Sequence, residues 1–234
     1  MISVVIPAFN EEESLGRCLE SLAKQTTSQS FEVVVVDNNS SDKTKETVES
    51  HQDKLNLKVI LQKKPGRGAA RYLGFKIAQG EIIASTDADT QVPPDWLAQM
   101  VDSLKNKKIV AVTGPCQIND CSWRTNRFFN YLQPCMMFLY RIIFGHFWLI
   151  GSNFAIKKSA YQKAGEFDQE MKALEDIELG FRVKRIGKIK FINLPVVTSG
   201  RRMSKSFFRG MISYLKVFVG YFLFQQKGVD LSDV

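Results

Sequence analysis

The sequence predicts an α/β protein with a mainly parallel central sheet in one Rossmann-like domain, followed by a C-terminal amphipathic helical segment. Three observations predict it. Apolar strand-like runs alternate with helix-period segments up to about Pro115. The run "FEVVVVD" is apolar almost throughout, as expected of a strand covered on both faces. Unusual polar residues collect where the strand patterns end, which is where α/β sheets bind ligands.

Taken in order, "ISVVIPAF" is a short apolar strand, and "EEESLGRCLESLAKQ" places Leu15, Leu19 and Leu22 on one helical face. "FEVVVVD" is the second strand, "SSDKTKETVESHQ" a capped helix and "LKVIL" a third strand. "GRGAARYLGFKIAQG" reads as a helix closed by Gly80, and "EIIAST" as the fourth strand. "PPDWLAQMVDSLKN" opens with proline, which a first helical turn tolerates, and "KIVAVTG" supplies another strand.

At 234 residues, with 44% hydrophobic and 24% charged residues, the chain can bury a substantial core and is not of a disordered class. Its formal net charge of +8 calls for an anionic partner: a nucleotide, a nucleic acid or a membrane surface. Cys18, Cys116, Cys121 and Cys135 have no zinc-like spacing with His51 or His146, so reduced, structural cysteines of a cytosolic protein are expected. The N-terminus has no basic region followed by a long apolar segment, so no secretory leader is expected there.

Beyond Pro115 the character changes. No acid occurs between Asp120 and Glu166, and "RFFNYLQPCMMFLYRIIFGHFWLI" within that interval is dense in aromatic and aliphatic residues. A second acid-free stretch runs from Leu179 to Val229. On helical spacing its residues from Phe207 to Leu223 make one apolar stripe, with Arg209 and Lys216 away from its centre. Two interior charges argue against a span and favour a helix lying on an anionic membrane; packing on the domain or in a homodimer is the alternative. Nucleic-acid binding would interleave basic and aromatic residues along a groove, whereas here aromatics form near-continuous apolar segments, so no nucleic acid is expected.

The chemistry-bearing residues sit at the strand ends: Pro7, Ala8, Asn10 and Glu11 after the first, Asp37 after the second, and Asp87 and Asp89 after the fourth. Neither GxGxxG after the first strand nor GxxxxGK[ST] anywhere is present, so the dinucleotide fingerprint and the P-loop are absent. Two carboxylates at the end of an apolar strand need a partner, either a turn or a cation. Arg67 and Arg71 stand one turn apart, where a basic side chain can approach base, ribose or phosphate, or pair with acids at the surface. "LEDIELGFRVKR" reads as a helix start with Ile177, Phe181 and Leu174 buried; Asp176 and Glu175 could serve there simply as N-terminal helix acids.

With its neighbours, "TDAD" resembles the DxD element of GT-A glycosyltransferases, and the likeness extends in order through family 2, the large inverting family. "VVIPAFNEEESL", "VVVVDNNSSDKT", "GRGAARYLGFKIAQGEIIASTDAD", "LIGSNFAIKKSAYQKAGEFD" and "ALEDIELGFRVKRIG" match its successive motifs over roughly residues 2–195. The resemblance implies a GT-A domain over residues 1–200, with 1–115 the nucleotide half, 116–200 the acceptor half and 201–234 a basic amphipathic segment. It implies a nucleotide-diphosphate sugar donor, Mg²⁺ or Mn²⁺, and inverting transfer to a hydroxyl or phosphate acceptor. By the same likeness Asp89 contacts the metal, Asp87 faces ribose or metal, and Ala88 lies between them. Asp37 and Ala8 meet the base, Asp176 is the general base and Glu175 orients it or the acceptor. "TSGRRMSK" departs from the QxxRW of processive members, so a polymer-extruding synthase is not expected; Arg201 or Arg202 then contacts the diphosphate or lipid headgroups. The basic, aromatic second half points to a lipid-linked acceptor and to peripheral association with the cytoplasmic face of a membrane. A non-enzymatic lipid-surface protein is the rival of another class. A nucleotidyltransferase is the enzyme runner-up, but "IPAFNEEES" lacks its glycine- and lysine/arginine-rich signature.

Overall fold

The computed structural model describes residues 1–201. Its centre is a seven-stranded sheet formed by β1 (Ile2–Ala8), β2 (Phe31–Asp37), β3 (Leu57–Leu61), β4 (Ile82–Ser85), β6 (Ile109–Thr113), β8 (Phe154–Lys157) and β9 (Lys188–Phe191). The spatial order is β3-β2-β1-β4-β8-β6-β9. β1, β2, β3 and β4 run parallel, as do β6 and β9, while β8 is inserted antiparallel to both β4 and β6. Strands from both sides of Pro115 therefore share one sheet. Three short strands, β5 (Thr90–Gln91), β7 (Cys116–Gln117) and β10 (Val196–Thr198), form a second sheet in the order β5-β10-β7.

Side-chain alternation sends each inner strand into two cores. Ile2, Val4, Ile6 and Ala8 of β1, with Val33 and Val35 of β2, pack under α1 (Leu15–Ala23), α2 (Thr44–Glu49) and α4 (Trp96–Leu104). Val5, Val34 and Val36 face the opposite way, under α3 (Arg67–Ile77), α5 (Trp123–Phe144), α6 (Lys158–Lys163) and α7 (Glu175–Val183). Burial on both faces explains the uninterrupted apolar reading of β2.

The helices are shorter than their sequence patterns. Asn10 takes a left-handed conformation and residues 11–14 form a turn, so α1 begins at Leu15. Asp42 accepts the Thr44 N–H at 3.0 Å, which starts α2 late. The expected burial in α7 needs correction: Leu179, Val183 and Glu175 point inward with Leu174, whereas Ile177 and Phe181 are half-buried. The long α5 was not read as a helix from sequence. Its N-cap is Ser122, whose hydroxyl accepts from Thr125 N, and Gly145 closes it in the left-handed region. Asn126 and Asn130, one turn apart, anchor it by bonding both backbone groups of Cys121 and of Ile118. Arg202 and the apolar stripe of residues 207–223 lie outside the described residues.

Candidate active site

The carboxylate pair follows β4 directly. The Thr90 N–H donates to the Asp87 carbonyl at 3.1 Å, folding residues 87–90 into a tight turn, and Cys18 Sγ donates to the same carbonyl. Asp87 and Asp89 thus end a core strand in a turn. Their side chains diverge to different partners.

Asp87 Oδ1 meets Arg71 Nη2 at 2.5 Å, and the other terminal nitrogen of Arg71 donates to Glu175 Oε1. The Arg71 and Glu175 side chains are each only 3% exposed. Arg71 Nε also reaches Ser85 Oγ at 3.4 Å, and Ser85 donates to the Gly151 carbonyl at 2.8 Å. Burial works against the charge, but Asp87, Glu175 and Asp176 hold the Arg71 guanidinium above its ordinary pKa. One buried guanidinium therefore joins the end of β4 to the start of α7. Arg71 is not a surface partner: it is buried between the acids after β4 and those opening α7. Arg67 stands half-buried at the start of α3.

Asp89 lies on the other side of the turn. Its Oδ1 accepts from Thr198 Oγ1 at 3.2 Å, and its Oδ2 is 3.5 Å from Arg201 Nη2. Arg201 is paired mainly with Glu11, through Nη1 at 3.0 Å and through Nη2. Pairing of β5 with β10 brings Thr198 and Arg201 to Asp89 from across the chain. Burial, with Asp87 nearby, pushes the Asp89 carboxyl up to about 6, while Arg201 pulls it down.

Asp176 is held by two backbone donors, Gly151 N to Oδ2 at 2.6 Å and Ile177 N to Oδ1 at 2.8 Å. Burial and the neighbouring Glu175 push its carboxyl up to about 6, against the pull of Arg71. A Cβ at Gly151 would collide with the Arg71 guanidinium and crowd Asp176, so this position requires glycine. Leu174, just before the acid pair, has φ 61° with its side chain buried, a left-handed conformation that bulky residues rarely adopt and that clusters at functional sites.

Ala8 and Asp37 are register partners at the C-terminal ends of β1 and β2. Asp37 Oδ1 accepts the Ser40 N–H at 3.0 Å, so it does brace the following turn. Pro7 is opposite Val36, and Ala88 is buried. Asn10 and Glu11 are more than helix-start residues. Asn10 exchanges hydrogen bonds with Ser40 and Ser41, and Glu11 holds Arg201.

Among the described residues no three His, Cys, Asp or Glu side chains converge as a ready metal cluster. Asp87 and Asp89 nonetheless offer hard oxygen donors, in surroundings where, among the described residues, Arg71 and Arg201 are the cations paired with Glu11, Asp87, Asp89 and Glu175. That set fits a hard divalent cation whose remaining ligands come from phosphate. The residues that sequence reasoning underweighted are Arg71, Gly151 and Thr198. Only Arg71 carried a signal, as a long cation beside the small residues Gly68, Ala69 and Ala70.

Known proteins are similar to this chain in sequence and in fold. The family model for glycosyl transferase family 2 matches residues 3–174. A dolichol-phosphate mannosyltransferase of Pyrococcus furiosus is 34% identical over 112 residues, 47% of this chain and 32% of that protein. The chain thus spans about a third of that curated relative. The fold is similar to that of S. aureus TarS 1–349 in complex with UDP-GlcNAc, with a TM-score of 0.71 and 24% identity over 86% of this chain and 58% of that chain. It is likewise similar to the mannosyltransferase PcManGT of Pyrobaculum calidifontis in complex with GDP-Man and Mn²⁺, with a TM-score of 0.69 and 25% identity over 92% of this chain and 61% of that chain. The architecture is therefore GT-A, and the chain belongs to glycosyl transferase family 2.

Proposed function

We propose that the chain transfers one sugar from a nucleotide-diphosphate sugar to a hydroxyl or phosphate acceptor, with inversion and with a divalent cation. The observation that carries this is Arg71, which locks the acid pair after β4 to the acid pair opening α7. Residues 1–115 supply the donor side, with Ala8 and Asp37 toward the base and Asp87 and Asp89 toward ribose and metal. Mg²⁺ or Mn²⁺, held by Asp89 with Asp87, neutralises the departing diphosphate when bound. PcManGT with GDP-Man and Mn²⁺, and TarS with UDP-GlcNAc, support this donor class.

Asp176 acts as the general base. Its two backbone donors fix the carboxylate, and a carboxyl pushed up to about 6 is ionised at neutral pH yet basic enough to accept a proton. As the acceptor oxygen bonds to the anomeric carbon, its proton passes to Asp176, and the bond to the diphosphate breaks with its electron pair. Glu175, fixed by Arg71, orients the acceptor side. A phosphate acceptor needs no deprotonation, so Asp176 then serves position and charge alone.

The relative acting on dolichol phosphate supports a lipid-phosphate acceptor. With it goes peripheral association with the anionic cytoplasmic leaflet, consistent with a net charge of +8. Among the described residues no helix is long and apolar enough to cross a membrane. Incubation with a panel of nucleotide sugars and polyprenyl phosphates, with the product's anomeric configuration read by NMR, tests the proposal. An inverted glycosyl product formed only with the metal is expected; retention of configuration would overturn the mechanism.

A further inference from the structure

A second charged site lies away from the acid cluster. A cavity of about 620 Å³ is walled by Lys107, Lys108, Arg141, residues 145–147 and residues 184–189. Six of its wall residues are cations: Lys107, Lys108, Arg141, Lys184, Arg185 and Lys188. None pairs with a carboxylate among the described residues. Lys184 instead caps α5 by donating to the Phe144 carbonyl at 3.1 Å, and Arg141 lies over the Phe147 ring. The C-termini of α5 and α7 face this region, but each carries only about half a negative charge. Six exposed cations against about one negative charge give the cavity a positive field that favours an anion.

Two further features mark this cavity. His146 lines the cavity at 5% exposure. Its Nδ1–H donates to the Phe147 carbonyl, which leaves Nε2 buried without a partner. Beside Arg141, on the last turn of α5, Ile142 and Ile143 are 80% and 63% exposed, and Ile186 of the cavity wall is exposed too. Basic side chains rimmed by outward aliphatic residues match a phosphodiester headgroup with its acyl chains alongside. α7 runs from Asp176 to this cavity, so the cavity is separate from the base by the length of a nine-residue helix, about 13 Å.

We infer that this cavity binds the phosphate headgroup of an anionic phospholipid, seating the last turn of α5 on the membrane. This deepens the membrane part of the preceding proposal and is independent of the donor chemistry. The source of phosphate is decided by flotation of the full chain with phosphatidylcholine vesicles, with mixed phosphatidylcholine–phosphatidylglycerol vesicles, and by thermal shift with inorganic phosphate. Wild type should float with the mixed vesicles only. Lys107→Gln/Arg185→Gln, both exposed, should weaken that partition roughly 30-fold at low salt. Ile142→Ser/Ile143→Ser should weaken it at every salt concentration. Both variants should bind nucleotide diphosphate with Mn²⁺ like wild type, so a failed donor reading and a failed lipid reading give different results. A Lys107→Gln/Arg185→Gln variant that floats like wild type would overturn the site. A thermal shift with phosphate in a protein that never floats would overturn the lipid in favour of a soluble phosphate ligand.

Discussion

Replacing Arg71 with methionine keeps a long apolar side chain and removes the guanidinium. Arg71 holds buried Glu175, half-exposed Asp87 at 2.5 Å and Ser85 at 3.4 Å. Asp87 can turn toward water, because its side chain is 36% exposed, but Glu175 cannot. Breaking a buried pair from one side leaves an uncompensated charge and costs ~3–5 kcal/mol. For a chain of this size that lowers the melting temperature by ~6–20 °C. The double variant Arg71→Met/Glu175→Gln removes the stranded charge, so part of the loss should return, with a coupling of about 1 kcal/mol or more. Arg71→Lys should rescue little, since one ammonium on a shorter stem cannot bridge both carboxylates and Ser85. Urea titrations of wild type, the singles and the double measure each value. A loss below about 1 kcal/mol for Arg71→Met, or strict additivity with Glu175→Gln, would refute the bridge as the element joining the two acid pairs.

Asp176→Asn should keep donor affinity and lose transfer to a hydroxyl acceptor by roughly 10²–10⁴-fold, while wild-type kcat/KM should rise with pH through about 6, as steady-state kinetics will show. Because the folded carboxyl lies near 6 and its ordinary value is 3.8, the folded protein holds a proton that the unfolded chain releases. Asp176 therefore lowers stability as pH rises from about 4 to 6, and Asp176→Asn should lessen that slope, with Asp89 contributing the rest, in denaturation measured across the window. Asp89→Ala should abolish metal-dependent nucleotide binding with the fold intact by circular dichroism, and unchanged calorimetric affinity with Mn²⁺ would remove Asp89 as a ligand. Arg201→Ala removes the cation that faces Asp89 at 3.5 Å, so Mn²⁺ should bind the nucleotide-free protein more tightly in calorimetry.

The parallel strands were legible because each is a short apolar run with turn residues at its end, and burial on both faces leaves that mark on β2. The antiparallel insertion of β8 was not, because "FAIK" carries no signal of direction and its place between β4 and β6 is set by tertiary contacts. α5 was hidden for a different reason. Tyr131, Leu139 and Ile142 lie outward while Met137 and Tyr140 lie inward, so apolar residues surround the helix and no single stripe marks it. Asp87, Asp89, Glu175 and Asp176 stood out in the sequence because acids ending a strand or opening a helix need partners, and the structure supplies them. Arg67 and Arg71 could not be told apart, since helical spacing places the two on one face without saying which end of that face is buried. The approach of Arg201 to Glu11 depends on β10 crossing to β5, a long-range pairing that local patterns do not encode.

Calorimetric titration of UDP and GDP into the full chain, with Mn²⁺ and again with EDTA, tests the proposed donor site most directly. One of the two nucleotide diphosphates should bind with Mn²⁺ and lose that binding in EDTA, and Asp89→Ala should behave as wild type does in EDTA. Binding of equal strength with and without the metal, or no binding of either nucleotide with it, would contradict the assignment of Asp87 and Asp89 to a metal-dependent donor site.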